Sequence, residues 1–288
     1  MSSVPDRIDG PVAVIGDVHG QIQLLRQLIG ELARTPDIER RWIVFVGDLI
    51  DRGPDSAAVV ELFFQLRQQH GRVTWVCGNH EYSMLGALGL LPCPDYVDFT
   101  GRWVEHYGAR ETFESYGVEY GDLDGLRAAI PQTHLEVMVD LPWAVEHPSF
   151  LFVHAGLDPN FPFETQLRIL RERDYTQSHP PWMYTRDFLD TGAPLDCPAT
   201  VVVGHVPQPQ VRTARGAMGI DTGAGHGGPL SCVLLPEGRV FQAGHSSPQP
   251  PSPASGPRGI PAGAPFPPGA VPGSMPPSRK QPWWKKII

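Results

Sequence analysis

The sequence predicts an α/β fold with largely parallel strand pairing. Three observations predict it: five short runs rich in β-branched and aromatic residues, helical apolar spacing in the segments after the first two, and a glycine beside an Asp, Asn or His at the carboxyl end of every run. The first run, VAVI (12–15), is uninterrupted, as in a buried strand. After it, QIQLLRQLIGELAR (21–34) places apolar residues at 22, 25, 28, 29 and 32, which predicts a helix. WIVFV (42–46) is the second strand. SAAVVELFFQLRQQ (56–69) is the second helix, with Ser56 as its expected N-cap and Gly71 past its end. VTWVC (73–77), FLFV (150–153) and TVVV (200–203) complete the set of strands.

Composition narrows the function. The chain has 288 residues, a net charge of −8 and a pI near 5.7. That balance argues against nucleic acid as a partner, and an anionic substrate would need local positive charge from metals or a few arginines. The four cysteines have no CxxC spacing, which favours free thiols in a reducing compartment. Residues 1–10 lack a basic stretch followed by an apolar one, and no apolar run approaches the about 20 residues that span a bilayer. The expectation is a cytoplasmic protein without stable membrane insertion. Near residue 245 the composition changes. From Ser246 to Pro282 almost half the residues are Pro or Gly, too few of the rest being large and apolar to offset the entropy of ordering. Residues 1–245 are therefore expected to form the catalytic domain. Residues 246–288 are expected to be a disordered Pro/Gly-rich tail, ending in Trp-Trp-Lys-Lys-Ile-Ile and able to dock a partner.

The strand ends carry the chemistry. They read Gly16-Asp17-Val18-His19-Gly20, then Gly47-Asp48 continuing to Asp51-Arg52-Gly53, then Gly78-Asn79-His80-Glu81, then His154-Ala155-Gly156, and finally Gly204-His205. In an open α/β sheet ligands bind at the carboxyl ends of the strands. Asp17, His19, Asp48, Asn79, His154 and His205 can thus converge on one place. Carboxylate, amide oxygen and imidazole suit Mn²⁺, Fe²⁺, Co²⁺ or Zn²⁺, and six ligands suit two ions bridged by a carboxylate. Turn formation alone would explain one Gly-Asp pair but not five such strand ends.

GDVHG, GDLIDRG and GNHE, followed by HAG and GH, resemble the phosphoprotein phosphatase family of calcineurin-like metallophosphoesterases, in particular its bacterial and phage serine/threonine phosphatase branch. The resemblance extends over about residues 12 to 242. It implies a β-sandwich flanked by helices, with a two-metal centre at one edge. It further implies that Asp17 and His19 hold the first metal, Asn79, His154 and His205 the second, and that Asp48 bridges them. By the same resemblance His80 protonates the leaving group, Asp51 orients His80, and Arg52 and Arg186 bind phosphate. The chain departs from the family pattern at Val206, Tyr184 and Tyr107-Gly108-Ala109, all on the substrate-facing side.

These residues lead to an expected reaction: hydrolysis of phosphoserine and phosphothreonine in a phosphoprotein or phosphopeptide, by in-line attack of a hydroxide held between two divalent ions, manganese first among them. Arginine's planar fork suits the phosphate oxygens. Asp51 is expected to fix the His80 tautomer and favour its protonated form. The alternative is symmetrical hydrolysis of dinucleoside polyphosphates such as diadenosine tetraphosphate, which uses the same core. A non-catalytic docking module comes last, because no metal ligand is missing. Cys77 is read as a packed strand residue, His226 as a loop residue and Asp221 as a hydrogen-bonding support. Glu81 is divided between bracing the metal loop and no role. The aromatics between residues 82 and 145 are read as packing rather than as a nucleobase platform.

Overall fold

The computed structural model describes residues 4–94, 96–177 and 179–244. The tail expected from 246 to 288 lies outside the described residues. Ten strands are present among them: β1 (Val12–Ile15), β2 (Trp42–Phe45), β3 (Val73–Trp75), β4 (Ala144–Glu146), β5 (Phe150–Val153), β6 (Thr200–Val203), β7 (Arg212–Ala214), β8 (Ala217–Gly219), β9 (Leu230–Leu235) and β10 (Arg239–Ala243). They form two five-stranded sheets, ordered β10-β9-β1-β2-β3 and β4-β5-β6-β8-β7.

The two sheets pack face to face, and the alternation of side chains along each strand explains the unbroken apolar runs. Val12 and Val14 of β1 point into the layer between the sheets, where Val44, Val46 and Val76 meet Val145, Phe152, Val202 and Ile220. Ala13 and Ile15 point the other way, towards a helix-covered core with Leu25, Leu28, Ile29 and Phe63. Both faces of β1 are fully buried. Each such valine or leucine contributes roughly 1.5–3 kcal/mol.

Pairing is mixed rather than largely parallel. β1–β2, β2–β3, β5–β6 and β6–β8 are parallel, whereas β1–β9, β9–β10, β4–β5 and β7–β8 are antiparallel. The five strands expected from sequence are the parallel cores of both sheets. Of the antiparallel members, β4 is short and β7 and β10 carry exposed residues, whereas β9 is six residues long and buried throughout.

The first two helices lie close to where the spacing puts them. α1 spans Ile22–Leu32 and α2 spans Ser56–His70. Gly71 closes α2 in the left-handed region, at φ 78°. Asp55, not Ser56, caps its start by accepting from Ala58 N at 2.9 Å. Ser56 is instead the first helical residue, and its hydroxyl accepts from Asp51 N. Between β3 and β4 come α3 (Asn79–Ala87), α4 (Phe99–His106), α5 (Arg110–Ser115), α6 (Leu123–Ala129) and α7 (Gln132–Val139). Trp103, Phe113 and Trp143 of this region are buried, so they are packing residues as expected. No helix among the described residues is long and apolar enough to cross a membrane.

Candidate active site

The carboxyl ends of β1, β2 and β3 deliver Asp17, His19, Asp48, Asn79 and His80, while those of β5 and β6 deliver His154 and His205. The site is therefore shared between the two sheets. Asp48 is at its centre. Its Oδ2 lies 3.3 Å from His154 Nε2, 3.7 Å from His19 Nε2 and 3.8 Å from His80 Nε2.

Two groups of donor atoms come together, His19 with Asp48 and His80, and Asp48 with His154 and His205. Asp48 belongs to both, as a bridging ligand must. His154 Nε2 also lies 2.8 Å from Asn79 Oδ1, which places Asn79 with the second group. Asp17 accepts from His205 N through Oδ2 at 2.8 Å, while its buried Oδ1 has no hydrogen-bond partner. A Cβ on Gly204 would collide with that oxygen, so the glycine keeps the approach open. Backbone carbonyls fix the other ring nitrogens: His19 Nδ1 meets Ile50 O at 2.9 Å and His154 Nδ1 meets Val46 O at 2.8 Å. Held in this way, metal-ligating histidines present Nε2 to an ion.

Electrostatics fit a cation as well. Burial pushes Asp17 well up, helped by the charges of Asp221 and Asp48. Burial opposes ionisation of Asp48 too, yet the neighbouring imidazoles, His154 foremost, hold its carboxyl well below the usual range. His154, although buried, is pushed up to about 10 by Asp48 and Asp17. A buried group of carboxylates thus draws positive charge into its midst, the role of a divalent ion. The residues present fit a dinuclear metal centre.

Beside the centre, His80 Nδ1 meets Asp51 Oδ2 at 2.7 Å. Trp103 Nε1 donates to the same oxygen, and Thr112 Oγ1 donates to Asp51 Oδ1 at 2.6 Å. Asp51 therefore orients His80, but it does not keep the ring charged: burial and Arg52 bring His80 down to about 3 despite Asp48. Arg52 reaches His80 Nε2 at 3.0 Å, His19 Nε2 at 2.9 Å and His226 Nε2 at 3.2 Å. His226, read from sequence as a plain loop residue, thus flanks Arg52. Arg186 is exposed on the rim, in a groove beside Gly204 that Phe188, Gln208 and Arg212 also line.

Glu81 braces the metal loop. Its carboxylate accepts from the backbone N–H groups of Gly78, Asp48 and Leu49 at 3.0, 2.9 and 2.8 Å, and more distantly from Ile50. Asp221 accepts from Gly223 N, the supporting role expected of it. Strain is concentrated here as well. Seven non-glycine residues among those described have positive φ, and five of them are His19, Asp48, Asp51, Arg52 and His205. Such conformations cost about 1–3 kcal/mol each and persist where surrounding contacts enforce them.

Residues 10–238 match the family model of the calcineurin-like phosphoesterases. The chain belongs to the calcineurin-like phosphoesterase family. This metallophosphoesterase is 26% identical over 235 residues to the asymmetrical bis(5′-nucleosyl)-tetraphosphatase PrpE of Anoxybacillus flavithermus, with 78% of the chain and 90% of the relative covered. It is 28% identical over 170 residues to a symmetrical bis(5′-nucleosyl)-tetraphosphatase of Vibrio cholerae, covering 59% of the chain and 53% of that relative. Among solved structures, a protein serine/threonine phosphatase of Saccharomyces cerevisiae superposes with a TM-score of 0.54 at 17% identity, covering 85% of the chain and 86% of that structure. At that identity the likeness speaks for the fold alone. The sequence relatives carry names for dinucleoside tetraphosphates, which overturns the expectation of a phosphoprotein substrate. What is shown is membership of the wider calcineurin-like phosphoesterase family; the serine/threonine phosphatase branch is not confirmed.

Proposed function

We propose that this phosphoesterase hydrolyses dinucleoside polyphosphates, with diadenosine tetraphosphate as the model substrate. The observation that carries the reading is a dinuclear site centred on Asp48 in a chain aligned over 78% of its length with a bis(5′-nucleosyl)-tetraphosphatase. Asp17, His19, Asp48, Asn79, His154 and His205 would hold two divalent ions, manganese first given the mixed oxygen and nitrogen donors. Such ions lower the pKa of bound water and neutralise charge on phosphate.

The chain's own residues supply the rest. Arg52 and Arg186 hold non-bridging phosphate oxygens. As Arg52 turns to the substrate it gives up its contact with His80 Nε2. Freed of that guanidinium, the nitrogen takes up a proton from water and passes it to the departing phosphate oxygen, with Nδ1 anchored on Asp51. The bond broken joins two phosphates, so the leaving group is itself a nucleotide.

The test is Mn²⁺-dependent turnover of diadenosine tetraphosphate, followed by separation of the nucleotide products. Turnover is expected, and it should collapse in His80→Asn. Two ADP molecules would mark symmetrical cleavage, and ATP with AMP asymmetrical cleavage. Metal-loaded protein that leaves the dinucleotide intact would sink the proposal.

A further inference from the structure

Beyond His80 lies a further row of aromatic and cationic side chains. If His80 gives a proton to the departing oxygen, the departing group has to pass close to its ring. One edge of that ring faces His19, at 4.6 Å between centroids, in the first ligand group. The other neighbour is Tyr107, also at 4.6 Å. Tyr184 continues the wall. Its hydroxyl lies beside those of Tyr107 and Ser83.

Over the Tyr184 ring stands Arg102, its Cζ 5.3 Å from the centroid. Arg102 Nη2 lies 3.1 Å from His179 Nε2, and the His179 ring is 5.1 Å from that of Tyr184. Arg102 itself is half-buried, and no carboxylate pairs with it among the described residues. In a chain of net charge −8, an arginine held only by an imidazole and an aromatic face is a cation available to an anion. The groove of Arg186 and Arg212 is a different surface, beside Gly204 and the second ligand group.

We propose that Arg102, Tyr184 and His179 form the subsite for the departing nucleotide. Arg102 takes its phosphate, and the rings of Tyr184 and His179 take its nucleoside. This rests on the dinucleoside polyphosphate reading, and it gives that substrate's second half a place. A ring face binds a nucleobase by stacking, and a guanidinium across the same ring completes a phosphate-and-base pair of contacts. No covalent step is added. The bond between phosphorus and the bridging oxygen breaks, oxygen from water takes its place on phosphorus, and the departing oxygen receives its proton from His80 Nε2.

The experiment uses the full chain with excess Mn²⁺ and p-nitrophenyl phosphate as reporter substrate. Inhibition by ATP and by orthophosphate is measured for the wild type, Arg102→Gln and Arg102→Lys. ATP should inhibit the wild type competitively. Its inhibition constant should rise about tenfold in Arg102→Gln, with that for orthophosphate moving far less, so that the ratio between them changes. Arg102→Lys keeps the charge and should recover part of the difference. Equal effects on both inhibitors, or no ATP inhibition of the wild type, would overturn the subsite. Because the reporter lacks a second nucleotide, these outcomes do not depend on whether diadenosine tetraphosphate is turned over.

Discussion

Trp103 Nε1 donates to Asp51 Oδ2 at 2.8 Å, the same oxygen that holds His80 Nδ1. A fully buried side chain on α4 thereby fixes the carboxylate behind His80, the proposed proton carrier. The helices between β3 and β4 are part of the site and not merely a cover for it.

Trp103→Phe keeps most of the packing against Phe113 and removes the donor. Turnover should fall about tenfold, the effect of losing an outer hydrogen bond to a positioned histidine. Stability should fall by only about 1 kcal/mol. Paired kinetics and urea unfolding measure the two; a stability loss with unchanged turnover would show that the bond to Asp51 does not serve catalysis.

Glu81 has the opposite balance. Glu81→Ala leaves the N–H groups of Gly78, Asp48, Leu49 and Ile50 without their acceptor. A destabilisation of about 3 kcal/mol is expected, because buried donors without partners are expensive. Glu81→Gln retains an acceptor oxygen and should cost less. A denaturation midpoint for the alanine variant equal to that of wild type would refute the bracing role.

Metal binding should be readable as stability. Ligand at a hundred times its dissociation constant adds about 2.7 kcal/mol to the folded state. Chelation should therefore lower the melting temperature of the wild type. Asp48→Asn, which weakens the ligand common to both groups, should bind fewer metal equivalents and respond less to chelator. Calorimetric titration with Mn²⁺ counts the sites directly.

Arg41 sets an acid limit on the fold. Its buried guanidinium bonds Asp37 and Glu237, both at 2.6 Å, and the carbonyl of Leu235 at 3.1 Å. Hydrogen bonds to Arg41 hold both carboxyls below their ordinary values of 3.8 and 4.5. Since the folded pKa values are depressed, this stabilisation is fully present above about pH 5 and is lost as pH falls through them. Unfolding free energy should decline between pH 5 and pH 3, and less steeply in Arg41→Met. Parallel pH profiles for the two proteins would argue against the linkage.

The residues that converge on the centre were legible because each stands at or next to a glycine-marked strand end, from Gly16-Asp17 through His154-Ala155-Gly156 to Gly204-His205. The parallel strands β1, β2, β3, β5 and β6 were legible because burial leaves an unbroken apolar run such as VAVI, whereas β8, only three residues long, was not. β7 and β10 were not, since exposed residues such as Arg212 and Arg239 interrupt any such run. Neither was the positive φ of Asp48 or Arg52, which surrounding tertiary contacts enforce. The bond from Trp103 to Asp51 crosses 52 positions, and that from Arg52 to His226 crosses 174. No pattern within a short window reports contacts of that span. The chemistry of the centre was therefore readable, while the substrate depended on surfaces assembled from distant segments.

Asp17, Asp48 and Asn79 come from one sheet, and His154 and His205 from the other. The spacing between these two sets of donor residues is consequently set by the valine and phenylalanine layer between the sheets. Val46, Phe152 and Val202 act as spacers. Trimming one of them would let the two halves of the ligand set settle closer together and alter which ion fits best, although the altered residue never touches it. On the dinuclear reading, metal preference would depend partly on the hydrophobic core.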